Sequence, residues 1–309
     1  MQITDTILMI RPAAFSFNRE TAANNYFQQE PSFPSGELQQ KALEQFDAMV
    51  DELRKENIDV IVIDDTTEPI KPDAIFPNNW LSTNEDGIVS VFPMFAPSRR
   101  LEKRDDILQS LSENFIVNDV QDWSEYEVEA IYLEGTGSMV IDHQNRIIYA
   151  CLSPRTHKAV IEKFASANHY KAITFTAHDL NEKEIYHTNV MMCIGEDFAV
   201  VCIKAITDDT ERIAVAQLLE TTGHENIYIT QEQMNAFAGN MLQVKNKTGE
   251  KFIVLSKTAF QSLHDKQVEK LEQYGKLLTI DVSIIEQVEG GSVRCMMAEI
   301  FLKPVPIGL

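Results

Sequence analysis

Near the C-terminus, the run Gly290-Gly291-Ser292-Val293-Arg294-Cys295-Met296-Met297 combines residue types suited to nucleophilic chemistry. A glycine pair lets backbone approach a bound ligand closely, and a cysteine after a short β-prone segment can face the cleft that this backbone floors. As a thiolate, Cys295 could attack a planar, resonance-stabilised carbon. A lone cysteine in a strand is more often a small buried apolar residue, so the assignment depends on what the rest of the chain brings to it. Arg294 could favour the thiolate or contact a substrate. It could equally face the other side of its strand, because side chains alternate there.

What the chain brings is a repeat. Phe76–Ser82, Leu133–Val140, Tyr186–Val190, Gly239–Val244 and Gly291–Phe301 each open a unit with polar or glycine residues. In the first four a polar turn, a second apolar run, a helix and a further strand follow, with a period of roughly 55 residues. Helices are expected at about Leu101–Asn114, Thr156–Ala167, Thr210–Thr222 and Thr258–Tyr274. The fifth opening has no room to finish. The N-terminal elements, a strand over Thr6–Pro12, a helix over Glu37–Asn57 and a strand over Asp59–Asp64, supply what it lacks. The expected architecture is therefore a single α/β domain over residues 1–309, a closed five-bladed β/α propeller of ββαβ units with the first and last segments completing one blade. In such a ring the unit openings line one channel. They carry Asn78 and Asn79, Glu134, His187 and Asn189, Asn240, and Cys295. That set holds a nucleophile, a histidine to move protons and a carboxylate to orient it or to hold a substrate N–H. The aromatic, amide-rich segment Ala13–Gly36 has little periodicity and is expected to be a substrate-contacting loop or lid.

Composition removes other function classes. The 309 residues are 44% hydrophobic and 24% charged, and 27 basic against 47 acidic residues leave a formal charge of −20. That charge opposes binding to nucleic acid or anionic membranes. The opening residues carry neither a basic leader nor a span-length apolar run, so a cytoplasmic location is expected. The cysteines lack metal-ligand spacing, and Cys151, Cys193 and Cys202 sit in apolar strand-like runs where a buried, inert thiol is expected. The expected partner is a small molecule, and a homodimer is only the base-rate guess.

The motifs RPAAFSFNRETAANNYFQ, FPNNW, LEGTGS, YHTNV and GGSVRCM make the whole chain resemble the guanidino-group-modifying (pentein) superfamily. Those five-bladed β/α propeller enzymes include arginine deiminase, dimethylarginine dimethylaminohydrolase and the amidinotransferases. Within it, the chain is most similar to the citrulline-hydrolysing branch. The resemblance implies Cys295 as nucleophile, His187 as general acid/base and Glu134 as the carboxylate, with no metal or organic cofactor.

The departures from the arginine-processing pattern bear on the substrate. Where those enzymes carry Phe-x-x-Asp, His-x-Asp and Glu-Gly-Gly-Asp, this chain has Phe76-Pro77-Asn78-Asn79, His187-Thr188-Asn189 and Glu134-Gly135-Thr136-Gly137. A buried guanidinium wants carboxylates; a neutral ureido group wants a donor for its carbonyl and acceptors for its N–H groups, which carboxamides supply. The expected reaction is cleavage of citrulline to ornithine, CO2 and ammonia, with Asn79 or Asn189 stabilising the oxyanion. A deiminase or amidinotransferase with the same machinery, and a non-catalytic binding or amino-acid-sensing propeller, are the alternatives.

Overall fold

The computed structural model describes residues 1–32 and 34–306, so within the Ala13–Gly36 loop residue 33 lies outside the described residues, as do 307–309. Among the described residues the repeat resolves into five three-stranded sheets of one design, in a mixed α/β fold. In each, the middle strand runs antiparallel to the strand before it and parallel to the one after it. An antiparallel pair needs only a turn; a parallel pair needs a long crossover, and each crossover here carries a helix. Leu81–Thr83, Ile88–Val91 and Asp119–Asp122 form one sheet, with the helix Asp105–Asn114 in its crossover. Val140–Asp142, Ile147–Cys151 and Lys171–Phe175 form the next, with Lys158–Ala167. Met192–Ile194, Phe198–Val201 and Glu225–Tyr228 follow with Asp209–Thr221. The fourth joins Leu242–Lys245, Lys251–Ser256 and Lys276–Ile280. In the fifth, the late strand Ala298–Glu299 pairs antiparallel with Thr6–Arg11, which pairs parallel with Asp59–Asp64.

The sequence dictates these elements locally. In the helix Ser35–Lys55, the residues Leu38, Ala42, Phe46, Met49, Val50 and Leu53 recur at helical spacing and are the buried ones. Ile147–Cys151 is buried throughout, as a strand covered on both faces should be. Cys151, Cys193 and Cys202 lie in the core, where burial pushes their thiols up to about 12, 12 and 11. None of the described helices is long and apolar enough to cross a membrane.

Two expectations need correction. The helix expected over Thr258–Tyr274 is two, Lys257–Ser262 and Asp265–Leu271. Leu263 is extended, and Gln267 Oε1 accepts the His264 N–H at 2.8 Å, restarting the helix at that point. The unit openings are not strands either. They are short helical turns set just before the inner strand: Pro77–Asn79, Gly135–Ser138, Thr188–Met191, and the turn in which Cys295 N–H donates to Ser292 O at 3.0 Å. Small and hydroxyl residues tighten them; Ser138 Oγ accepts the Glu134 N–H and donates to Arg155 O. A turn aims its first side chains along the strand axis, so the opening residues stand at the ends of the inner strands.

Candidate active site

Cys295, His187 and Asn79 line one narrow cavity of about 20 Å³. Each comes from a different unit opening. Glu134, from a fourth, sits behind His187 with no exposed surface. Its Oε2 meets His187 Nε2 at 2.8 Å, Arg155 Nη1 at 3.5 Å and Arg99 Nη1 at 3.9 Å, and its Oε1 accepts the Phe95 N–H at 2.9 Å. Burial alone would push this carboxyl up, but Arg155, the hydrogen bond to His187 and Arg99 together bring it down to about 2. Glu134 is therefore a fixed anion.

Burial draws His187 the other way, to about 4, with Glu134 opposing and the two arginines adding to the effect. With Nε2 directed at Glu134, the imidazole has Nδ1 left as its proton-accepting nitrogen. The pH dependence follows from the sign of this shift. A free imidazole with its ordinary value of 6.5 protonates before the buried one does. Stability due to the buried neutral ring is thus full above pH 6.5 and lost as pH falls towards 4, by about 3 kcal/mol. The acid limb of kcat/KM is expected near pH 4 for the same reason; a limb at the free-histidine value would show that burial does not lower the titration of the catalytic base.

The Cys295 sulfur receives two amide N–H groups, from Asn189 Nδ2 at 3.4 Å and Asn240 Nδ2 at 3.3 Å. Asn189 therefore reaches the nucleophile itself rather than a substrate, and it lines a second small cavity behind the cysteine. Arg294 is turned away from the first cavity: its guanidinium donates to Met297 O and Glu299 Oε2, both at 2.8 Å. The expectation that Arg294 contacts substrate is corrected by this buried pairing. Asn78 is likewise fully buried and off the cavity wall, its Nδ2 on Thr136 Oγ1 and its Oδ1 accepting from Asn79 Nδ2 at 3.1 Å. It positions Asn79 instead of meeting a ligand.

Asn79 is held from its other side. Arg99 Nη1 donates to Asn79 Oδ1 at 2.8 Å while the same guanidinium grips Glu102 through two contacts of 2.9 Å. With its oxygen engaged, Asn79 presents the remaining N–H of its amide as a donor. A Cβ on Gly137 would lie 2.4 Å from Asn79 Nδ2 and 2.7 Å from His187 Nδ1. Glycine at this position is what lets donor amide and proton-accepting ring converge.

Phe76, Gly291 and the Ala13–Gly36 residues Thr21 and Asn25 also line the cavity, with others that the sequence did not single out. Asp73 and Glu289 face the cavity, as do Arg99, Arg155 and Tyr186. Burial, with Asp73 beside it, pushes Glu289 well above the carboxylate range. Asp73 Oδ1 is buried without a hydrogen-bond partner. The segment after Thr6–Arg11 closes the mouth: Asn18 N–H donates to Glu289 Oε1 at 3.0 Å, Asn18 Nδ2 to Asp73 Oδ2 at 2.8 Å, and Arg155 holds Asn24 Oδ1 and Thr21 O. A repeat signal could have found the arginines. Pro97-Ser98-Arg99 and Ser153-Pro154-Arg155 both follow a middle strand.

The comparisons agree on the fold. The chain superposes on ArgZ, an arginine dihydrolase from the ornithine–ammonia cycle in cyanobacteria, with a TM-score of 0.74 at 17% identity, covering 97% of this chain and 41% of that one. The chain thus spans about two-fifths of that relative's length. The N-terminal domain of ArgZ bound to product gives 0.71 at 17% identity, covering 97% of each. A dimethylarginine dimethylaminohydrolase (DDAH) from Pseudomonas aeruginosa complexed with citrulline gives 0.67 at 14% identity, covering 97% of this chain and all of that one. No curated protein sequence matches the chain. The sequence profile described as N,N dimethylarginine dimethylhydrolase, eukaryotic, matches residues 11–302. With nearly its whole length matched, the chain belongs to that family, and through it to the pentein superfamily.

Proposed function

We propose that this protein is a cysteine-dependent hydrolase that cleaves the ureido group of citrulline to ornithine, CO2 and ammonia, from a channel around which the five sheets stand as propeller blades. The observation that carries the substrate is Asn79. Its oxygen is occupied by Arg99, so beside the nucleophile the cavity offers an N–H donor, backed by a guanidinium 2.8 Å away. A donor suits the carbonyl of a urea. A guanidinium substrate would meet at this position an N–H donor in place of an acceptor. In the same cavity Asp73 Oδ1 is a buried acceptor without a hydrogen-bond partner, suited to an α-ammonium.

In this reading the Cys295 thiol proton passes to His187 Nδ1 as sulfur bonds to the ureido carbon, and Asn79 Nδ2 donates to the oxygen that becomes negative. The imidazolium stands against Glu134, 2.8 Å away. It returns the proton to the δ-nitrogen as the C–N bond breaks, and ornithine leaves. The carbamoyl thioester is then attacked by water, whose proton neutral His187 accepts. The S–C bond breaks, the thiol is restored, and carbamate decays to CO2 and ammonia. The proposed cycle calls on no metal or organic cofactor.

The test is a paired incubation with citrulline and with arginine, quantifying ornithine, citrulline and ammonia, with Cys295→Ser run alongside. Ornithine and ammonia from citrulline, absent in the variant, are expected. Citrulline accumulating from arginine would overturn the substrate assignment and favour a deiminase.

A further inference from the structure

Two carboxamides from different units converge on one sulfur, and no step of the proposed reaction uses them. We propose that Asn189 and Asn240 form a neutral anion cradle that holds the Cys295 thiolate, making Asn240 a positioning residue for the nucleophile and Asn189 its partner. The inference rests on Cys295 being the nucleophile, but not on which substrate it attacks.

The Nδ2 atoms of Asn189 and Asn240 lie 3.4 and 3.3 Å from Sγ, and both residues are buried. A thiol sulfur is a weak acceptor, so two N–H groups aimed at one have little to gain; a thiolate makes the same contacts charge-assisted. The cradle is also rigid. Asn240 Nδ2 donates in addition to Asn189 O at 2.9 Å, and its Oδ1 accepts the Arg294 N–H at 3.0 Å, fixing the peptide just before the nucleophile.

The usual cations are committed elsewhere. Arg294 is bound to Glu299 behind the site, His187 is paired with Glu134 and kept neutral by burial, and Arg99 and Arg155 are tied to carboxylates and to the closing segment. Glu134 and Asp73 add negative charge around the same cavity. A buried anion left to these surroundings would be costly, and oriented N–H dipoles are what remains to stabilise it. A site for a neutral ureido group has particular need of this, because such a substrate brings no positive charge of its own to the sulfur.

The test reads the thiol directly in the full chain, with no substrate, so a failed citrulline assay and a failed cradle remain separate results. Iodoacetamide labelling of Cys295, located by peptide mass spectrometry, is followed between about pH 6 and about pH 10 in wild type, Asn240→Asp and Asn189→Ala. The other three cysteines, whose thiol values burial raises, lie on separate peptides and are followed as internal references. Asn240→Asp keeps the oxygen that accepts Arg294 N–H while replacing the donor with charge. Labelling at about pH 7 should slow by about tenfold in Asn240→Asp and about threefold in Asn189→Ala, with all three proteins converging near pH 10. Folding is checked by circular dichroism, and Asn189→Ala carries the test if Asn240→Asp does not fold. Wild-type rates at neutral pH in a folded variant, or slowing by one factor at every pH, would overturn the cradle, since a merely structural role alters access and not the pH profile.

Discussion

Glu134→Gln should cost about 3–5 kcal/mol of stability and lower kcat by about a thousandfold. Glu134 is the one carboxylate within 4 Å of Arg155 among the described residues, at 3.5 Å, whereas Arg99 keeps Glu102 at 2.9 Å and Asp73 at 3.5 Å when Glu134 is neutralised. Arg155 is 2% exposed, so its charge would be left buried with only Asn24, the Thr21 carbonyl and the Tyr186 ring for company. Removing one partner of a buried pair is more damaging than replacing both, because the orphaned ion keeps its desolvation penalty. Pairing Glu134→Gln with Arg155→Met should therefore recover part of the stability while leaving turnover low. The catalytic loss has its own cause: the imidazolium formed when His187 takes the thiol proton would lose the anion 2.8 Å from Nε2. Urea denaturation of the two single variants and the double variant, with kcat measured on each folded protein, separates the two effects. A Glu134→Gln protein within about 1 kcal/mol of wild type would mean that Arg155 is solvated and the site more open than its burial indicates.

The sheets were readable because their middle strands are short, apolar on both faces and set off by polar turns, a pattern that survives without knowledge of partners. The pairing of Ala298–Glu299 with Thr6–Arg11 was readable too, since the chain ends in an unfinished unit and begins with what completes it. The form of the unit openings was not. Gly135-Thr136-Gly137-Ser138 fits a strand start or a tight helical turn equally well, and only packing against Asn78 and Asn79 selects the turn. Arg294 shows the consequence. Alternation along a strand left its direction open; in a turn, its side chain reaches the half-buried carboxylate of Glu299. Asp73, Arg99, Arg155 and Glu289 escaped for a different reason: each lies outside an opening and gains meaning from contacts with residues far away in sequence. Asn240 was visible as an opening residue, but that its amide meets sulfur is a fact of three dimensions.

Asn79→Asp should invert the substrate preference. The substitution removes the N–H aimed into the cavity and sets a carboxylate against Asn78 Oδ1, the atom that now accepts that amide at 3.1 Å. The oxygen that receives Arg99 can be kept, so the ion-pair lattice around Glu102 and Glu134 need not break. What changes is the face shown to the reacting carbon. A ureido carbonyl would meet an anion where it had a donor, and the oxyanion of the tetrahedral intermediate would be repelled instead of bound. A guanidinium would gain a charged acceptor for its N–H groups in a buried site, where an unmatched cation is costly. Losing a designed hydrogen bond to the reacting group discriminates far more strongly than losing bulk. The ratio of kcat/KM for citrulline to that for arginine should therefore fall by at least about a hundredfold, about 2.7 kcal/mol. Steady-state assays with both substrates on wild type and variant decide it. If citrulline turnover collapses while arginine still fails to react or to bind, the amide acts on the transition state and the exclusion of cations lies elsewhere, with Arg99 directly behind Asn79 as the remaining source of positive potential.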